Sequence, residues 1–407
     1  MDKDAKNNIL VLNAGSSSIK FAVYTWTEEI VEKISGSVKN IGYENVVLSI
    51  HRNDKEEDHP LHAPDFAGAI KGLMEWLENE HILQEVQAVG HRIVHGLHHS
   101  EPALITDTLL SELQSISHYD PDHMPVELDI IRQISKAYPD LLQYACFDTS
   151  FHTTLPAVAK TYAIPSAYFG EGIQRYGFHG LSYAYLMEQL SGINPEAAKG
   201  KVILAHLGNG ASLAAVEHGQ CQDTSMGFTP AAGIPMSTRS GDLDPGIAWY
   251  MMQKGIDAKK FNQIINHESG LLGISGISGN MQELLQKKET NEKAALAVDI
   301  FCYQIRKFIG AYMAVLGGLD ALVFSGGIGE NSAAIRAAIG SGLGYAGIFV
   351  DEVRNVHHET IISGESSKVS IYVIPTNEEK MIATAVAGML KNKVIPEKTN
   401  AHERPGT

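Results

Sequence analysis

Two stretches of this chain share one unusual plan, and that repetition constrains the fold more than any other feature. Residues 9 to 23 read ILVLNAGSSSIKFAV and residues 202 to 216 read VILAHLGNGASLAAV. Each is a run of strand-forming residues, a glycine-bearing interruption and a second strand-forming run, and aligning them places Gly15 on Gly208. A hairpin needs only two turn residues. The longer interruptions, with Ser16, Ser17, Ser18 and a buried-looking Lys20 in the first and Asn209 in the second, read as loops that hold something. Duplication of such a unit predicts two similar domains. A chain of 407 residues is long enough for two cores.

The elements between the two stretches fit an α/β class. Strands are expected at 9–12, 19–25, 30–38 and 45–51, then a helix carrying Phe66, Ile70, Leu73 and Leu77 at helical spacing. A strand VQAVGHRIV, helical segments near 107–117 and 126–137 and a strand QYACFD follow. The second half continues with helices around 245–267, a long amphipathic helix near 292–316, strand ALVFSG, a helix from about 332, strand SIYVIP and a closing helix at about 377–391. The polar segment KNKVIPEKTNAHERPGT is expected to fray after it.

Charge and cysteine content exclude several functions. A formal charge of −15 without any basic block opposes nucleic acid or an anionic membrane as partner. The start MDKDAKNN precedes only a short apolar run and resembles neither a secretory signal nor a membrane span. Cys146, Cys221 and Cys302 are odd in number and widely spaced, which points to free thiols in a reducing cytosol.

Three glycine-rich loops leave strands: 13–18, 207–212 (LGNGAS) and 325–332 (SGGIGENS). Glycine admits a close backbone approach, hydroxyls donate, and free N–H groups at a helix start face an anion, so together the loops read as phosphate cradles. Gly342, Gly344 and Gly347 match G-x-G-x-x-G but follow a helical pattern, which excludes a dinucleotide fold. His91, His95, His98 and His99 sit on a strand and turn with no cysteine or carboxylate to complete a zinc tetrahedron, and are expected to be structural. Arg92 at that strand end is a candidate anion fork. Arg239 lies in the long loop TSMGFTPAAGIPMSTRSGDLDPG, where the rival reading is a salt bridge to Asp242 or Asp244. Asp148 at a strand end and Glu378 and Glu379 at a helix start suit Mg²⁺, although the glutamates also complement a helix N-terminus.

NAGSSSIK, GHRIVHG, FDTSFHTTLP, RYGFHGLS, HLGNGAS, DTSMGFTPAAGIPMSTRSGDLDPG, SGGIGENS and TNEE, in that order, resemble the acetate kinase family from about residue 9 to about 390. The resemblance implies the acetate and sugar kinase, chaperone and actin superfamily: two duplicated ribonuclease H-like domains around a central cleft, 1–150 with 377–407 and 151–376. It implies reversible transfer of the γ-phosphoryl group of ATP to acetate, by direct attack of the carboxylate, in a cytoplasmic homodimer that uses Mg²⁺ or Mn²⁺ with ATP or ADP as co-substrate.

The same resemblance assigns roles. Arg92, Asp148, His179, Arg239 and His123 would be catalytic, with His118 in reserve for His123, and Asn13 and Glu378 would serve the metal. Asn13, Ser16, Ser18, Lys20, His206, Gly208, Asn209, Gly210, Gly327, Ile328, Gly329 and Asn331 would bind nucleotide, and Asn280, Met281 and Gln282 would stand near the adenosine. Val94, Phe178 and Pro230 would wall the acyl group, with Arg92 and Arg239 on its carboxylate.

Departures from the family pattern are Asp122 where a leucine is usual, His123-Met124-Pro125 for H-N-P, and Asn280-Met281-Gln282 for Asp, Phe and Arg. They leave open a kinase for propionate or another short acid, or a donor other than ATP. A nucleotide-switched binding protein is the rival of another class, and paired arginines argue against it.

Overall fold

The computed structural model describes residues 7–15, 18–53 and 55–393. The expected C-terminal fraying and the placement of Ser16 lie outside the described residues. The chain divides into two compact units, one running to Phe147 and resuming at Glu378, the other spanning Asp148–Asn377.

The first unit carries β1 (Asn8–Ala14), β2 (Ile19–Trp26), β3 (Ile30–Lys39), β4 (Val47–Arg52), β5 (Lys55–Pro60), β6 (Val86–Ile93), β7 (Ala103–Leu104) and β8 (Leu142–Phe147). They form one sheet in the order β5-β4-β3-β2-β1-β6-β8-β7. β1 pairs antiparallel with β2 and parallel with β6, and β6 pairs parallel with β8. As a central strand covered on both faces, β1 is a continuous apolar run with Ile9, Leu10, Val11 and Leu12 buried. On one face lies the helix Phe66–Asn79, whose stripe Ala69, Ile70, Leu73, Met74 and Leu77 meets Leu10, Leu12, Phe21 and Val23. Its start is set by Asp65, whose carboxylate accepts the Gly68 N–H at 2.8 Å. The helix Glu378–Lys393 returns to this unit and packs on β1 and β6.

The second unit carries β9 (Lys201–Leu207), β10 (Ala211–Glu217), β11 (Gln220–Thr224), β12 (Ala321–Ser325) and β13 (Ser370–Val373), in the order β11-β10-β9-β12-β13. β9 pairs antiparallel with β10 and parallel with β12, which pairs parallel with β13. This is the pattern of β3-β2-β1-β6-β8, so each unit is built on a ribonuclease H-like sheet. The repeat in the sequence is therefore a repeat of topology: β1 and β9 are the equivalent central strands, and each leads into its glycine loop.

The long helix occupies Glu292–Leu316, capped by Asn291 and ended by left-handed Gly317. The helices expected around 245–267 are Pro245–Gln253 and Ala258–His267, separated where Gly255 turns left-handed and Asp257 caps a new start. A short helix, Gly326–Asn331, precedes Ala333–Gly340, so helical structure starts earlier than the expected 332. Gly342 and Gly344 follow that helix, not a strand, in keeping with the excluded dinucleotide motif. Among the described residues no helix is long and apolar enough to cross a membrane.

Candidate active site

In the first unit the strand ends of β1 and β6 present Asn13 and Arg92. The Asn13 side-chain amide donates to Glu378 Oε2 at 3.2 Å and to Glu379 Oε1 at 3.0 Å. Arg92, with 14% of its side chain exposed, places Nη1 3.5 Å from Glu127 Oε1 and Nε 3.9 Å from Glu378 Oε2. Glu127 is buried, and its other oxygen accepts the Val94 N–H at 3.0 Å. One carboxylate thus fixes both the guanidinium and the backbone of the expected acyl-wall residue.

His123 precedes the helix Met124–Ala137. Its Nδ1 lies 2.8 Å from Asp120 Oδ1, which also accepts its backbone N–H at 3.1 Å. His118 is exposed and Asp122 half-buried. Lys20 faces Asn13 in the β1–β2 register and is exposed, which overturns the expectation of a buried charge. Ser18 is half-buried, and its carbonyl accepts the Gly15 N–H at 2.8 Å, closing the described part of the loop.

In the second unit Asp148 is fully buried. Its Oδ2 accepts the His179 N–H at 3.1 Å and its carbonyl accepts the Gly180 N–H at 2.7 Å. His179 is left-handed, with φ 59°, an uncommon conformation for a residue with a side chain, and it opens the helix Gly180–Ile193. Its Nδ1 is 2.9 Å from Ser212 Oγ, and Ser212 lies 2.5 Å from the Tyr183 hydroxyl. Burial pushes that phenol well above its ordinary value, so it stays neutral. The His179 ring stacks on His206 at 4.3 Å, and His206 Nδ1 meets Ser182 Oγ at 2.8 Å.

Gly210 explains why the second loop needs glycine. A methyl group there would lie 3.2 Å from His179 Nε2 and 3.7 Å from Arg239 Nη1. The imidazole and the guanidinium therefore converge on one backbone position. The loop 225–244 holds no helix or strand and is tied to the glycine loop at Ser237, whose N–H and hydroxyl donate to Asn209 O and Oδ1, each at 3.1 Å. Asp242 and Asp244, the rival partners of Arg239, each accept a backbone N–H, from Gly233 at 2.8 Å and Gly246 at 2.7 Å. Phe178 and Pro230 are buried. The Phe178 carbonyl accepts His152 Nε2–H at 2.9 Å, and burial holds His152 neutral, down at about 4.

The third glycine loop lies beside the second, since a Cβ on Gly208 would stand 3.9 Å from Gly327 N and 3.7 Å from His206 Nε2. Gly327 is exposed and Ile328 half-buried, while Gly329 is buried and Asn331 donates to Gly327 O at 3.0 Å. Glu330 accepts the N–H groups of Gly326 at 2.9 Å and Thr376 at 3.0 Å. Arg336, buried and pushed down to about 10, donates to the carbonyls of Gly329 and Glu330 at 2.8 Å. Asn280 caps the helix Met281–Lys287 through its side-chain oxygen, Met281 is buried and Gln282 is exposed.

Sequence reasoning missed Glu127, Ser212, Glu330 and Arg336. Glu127 carried a signal: it lies on the apolar stripe of Met124, Leu128 and Ile131, where an acid needs a partner. The histidine run does gain a carboxylate neighbour that sequence reasoning did not name, Glu112, grouped with His98 and His99 within 4.8 Å.

The sequence model of the acetokinase family matches residues 8–384. The chain is 41% identical over 398 residues to an acetate kinase of Halothermothrix orenii, covering 94% of this chain and 100% of that protein. It is 41% identical over 395 residues to one of Nitrobacter hamburgensis, covering 95% and 97%. Among solved structures it is similar to a propionate kinase from Francisella tularensis, with 38% identity, TM-score 0.87 and coverage of 93% and 98%. A Porphyromonas gingivalis acetate kinase gives 35% identity, TM-score 0.85 and coverage of 94% and 100%.

Proposed function

Because the chain belongs to the acetokinase family, we infer that it transfers the γ-phosphoryl group of ATP reversibly to acetate, giving acetyl phosphate and ADP. A carboxylate is ionised at neutral pH and needs no general base. The obstacle is bringing two anions together, and the residue types here answer it. Arg92 and Arg239 hold the carboxylate and the migrating phosphoryl group, while His179 Nε2 and His123 contact its equatorial oxygens. Asp148 positions His179 through the backbone and does not attack. Val94, Phe178 and Pro230 wall the methyl group. Asn13, Ser16, Ser18 and Lys20, with His206, Gly208, Asn209 and Gly210, take the phosphates. Gly327, Ile328, Gly329 and Asn331, backed by Asn280, Met281 and Gln282, take the nucleoside side.

The Asn13 amide with the carboxylates of Glu378 and Glu379 is a hard-oxygen set that suits Mg²⁺ or Mn²⁺ held partly through water. Bound there, the ion would neutralise charge developing on the phosphoryl oxygens. The exposed apolar side chains of Ile247, Trp249, Tyr250 and Met252, on a helix with no buried residue, support a homodimer. Three buried free thiols support a cytoplasmic address.

The observation that carries this reading is the convergence of His179 Nε2 and Arg239 Nη1 on Gly210. The similarity to a propionate kinase structure favours a second reading, a preference for longer acids, since one methylene changes binding by only about 1–3 kcal/mol. Turnover on acetate, propionate and butyrate against ATP, GTP and pyrophosphate, with acyl phosphate trapped by hydroxylamine, tests both. Highest kcat/KM with acetate and ATP is expected. A preference for the longer acids overturns the acetate assignment, and no trapped product with any pair overturns the kinase.

A further inference from the structure

We propose that His98, His99 and Glu112 form a binding site for a transition-series divalent cation of the Zn²⁺ class, separate from the site assigned to Mg²⁺. One ligand atom from each residue lies within 4.8 Å of the others. His99 Nε2 is 3.4 Å from both oxygens of Glu112, longer than the roughly 2.7–2.9 Å of a charge-assisted hydrogen bond. Two tetrahedral zinc ligands, each at 2.0–2.2 Å from the ion, stand about 3.4 Å apart. The His99–Glu112 spacing is that of two ligands sharing an ion, and His98, within 4.8 Å of both, is near enough to complete the set by a side-chain rotation. Two imidazoles and one carboxylate select Zn²⁺, Co²⁺ or Ni²⁺ over Mg²⁺ and Ca²⁺, and three protein ligands leave room for water.

The surrounding chain holds His99 and Glu112 in place. His99 stacks on Phe147 at 4.9 Å and 18°, while the exposed His98, stacked on His99 at 4.7 Å, turns off that stack to bring its nitrogen to the ion. The His99 N–H donates to Gly96 O at 2.9 Å, and Leu97 is left-handed with its N–H on His95 Nδ1 at 3.2 Å. Glu112 comes from the helix Asp107–Ser115, whose start Thr106 caps. The loop so fastened follows Arg92 and Val94.

Titration of the tag-free, metal-stripped full chain with Co²⁺, followed by its visible d–d bands, and with Zn²⁺ by calorimetry, tests the site. Wild type is expected to bind one equivalent with tetrahedral or five-coordinate bands. Those bands vanish in His99→Ala, binding weakens about tenfold or more in Glu112→Gln, and His218→Ala, at an exposed histidine elsewhere, changes nothing. Unchanged bands in His99→Ala and Glu112→Gln overturn the proposal. So does a wild type without signal at millimolar metal.

A different observation carries a second inference, which rests on the placement of His123 against the phosphoryl group. We infer that Asp120 is a positioning residue that accepts the Nδ1–H of His123 and so fixes the ring with Nε2 towards the substrate, where Nε2–H donates to the phosphoryl oxygens when the ring carries its second proton. Asp120 is buried, and one of its oxygens accepts both the ring and the backbone N–H of His123. The neighbouring His95 is kept neutral by burial, at about 4, and so brings no competing charge to that carboxylate. A carboxylate in this relation to an imidazole selects tautomer and orientation together.

Imidazole nitrogen resonances and kinetics test it. Wild-type His123 is expected to carry a proton on Nδ1, hydrogen-bonded to Asp120. Asp120→Ala removes that hydrogen bond and lowers kcat about tenfold or more with KM for ATP unchanged, Asp120→Asn, of the same shape without the charge, does not restore the loss, and Asp120→Ala adds nothing in a His123→Ala background. An additive loss, or an Nδ1 without a proton in wild type, overturns the inference. Full turnover by His123→Ala overturns the placement of His123 instead, and the resonances still decide on Asp120.

Discussion

Lowering the pH from about 7.5 to about 5 is expected to destabilise this protein through three buried histidines. His91, His95 and His152 are 3%, 0% and 1% exposed, and burial lowers each from 6.5 to about 4. Their folded values lie below the unfolded one, so the unfolded chain binds more protons between the two. Their contribution is complete above about pH 6.5 and is lost as pH falls towards 4. At about pH 5 each protonates in the unfolded chain and stays neutral when folded, a loss of about 2 kcal/mol per residue and about 6 kcal/mol together. Structure makes the neutral forms specific. His91 Nε2 donates to Gln143 Oε1 at 2.8 Å, and His152 donates to the Phe178 carbonyl while Nδ1 faces Cys221 Sγ at 3.2 Å. Imidazole resonances followed through a pH titration of the folded protein, with denaturant unfolding at both pH values, provide the assay. A native-state midpoint near 6 for any of the three refutes the reasoning for that residue. A His152→Gln protein that keeps the wild-type pH slope refutes it for the energetics, since one third of the proton uptake should disappear.

Arg239→Ala is expected to lower turnover by about a thousandfold, the worth of a phosphoryl clamp, with an unchanged melting profile, measured by the hydroxylamine trap. Glu127→Ala removes the acceptor of the Val94 N–H and one carboxylate partner of Arg92, and should cost roughly 3–5 kcal/mol in denaturant unfolding. Gly96→Ala would place a methyl group 2.4 Å from the Phe147 ring and should cost about 1–3 kcal/mol in the same assay. Arg336→Met removes the donors to Gly329 O and Glu330 O, so KM for ATP should rise more than kcat falls in steady-state kinetics.

The legible parts of the fold were those written in local periodicity. The stripe of the helix Phe66–Asn79, the caps of Glu292–Leu316 and the doubled strand-loop-strand plan of β1–β2 and β9–β10 are all visible in residue order. The break between Pro245–Gln253 and Ala258–His267 was less visible, because it depends on Gly255 adopting a left-handed turn that the composition of the segment permits without demanding. Candidate site residues stood out as isolated charges, Arg92 and Asp148 at strand ends and Arg239 in the long loop, where charge has few structural uses. Lys20 stood out for the same reason and is exposed at the loop end of β2, although Ala22 and Tyr24 on the same face of the strand are buried.

The sequence by itself determined which segments become strands and helices, that the plan is duplicated, and which loops are built from glycine, hydroxyls and isolated cations. These follow from side-chain periodicity and backbone chemistry, which act over a few residues. Only the tertiary structure decided that Glu127 reaches Arg92, that Ser212 and Tyr183 line up behind His179, that Asp120 backs His123, and that Glu112 meets His98 and His99. Each of those pairings except the nearby Asp120 and His123 joins different elements. A buried polar group chooses its partner by where packing delivers it, and sequence distance carries no record of that choice.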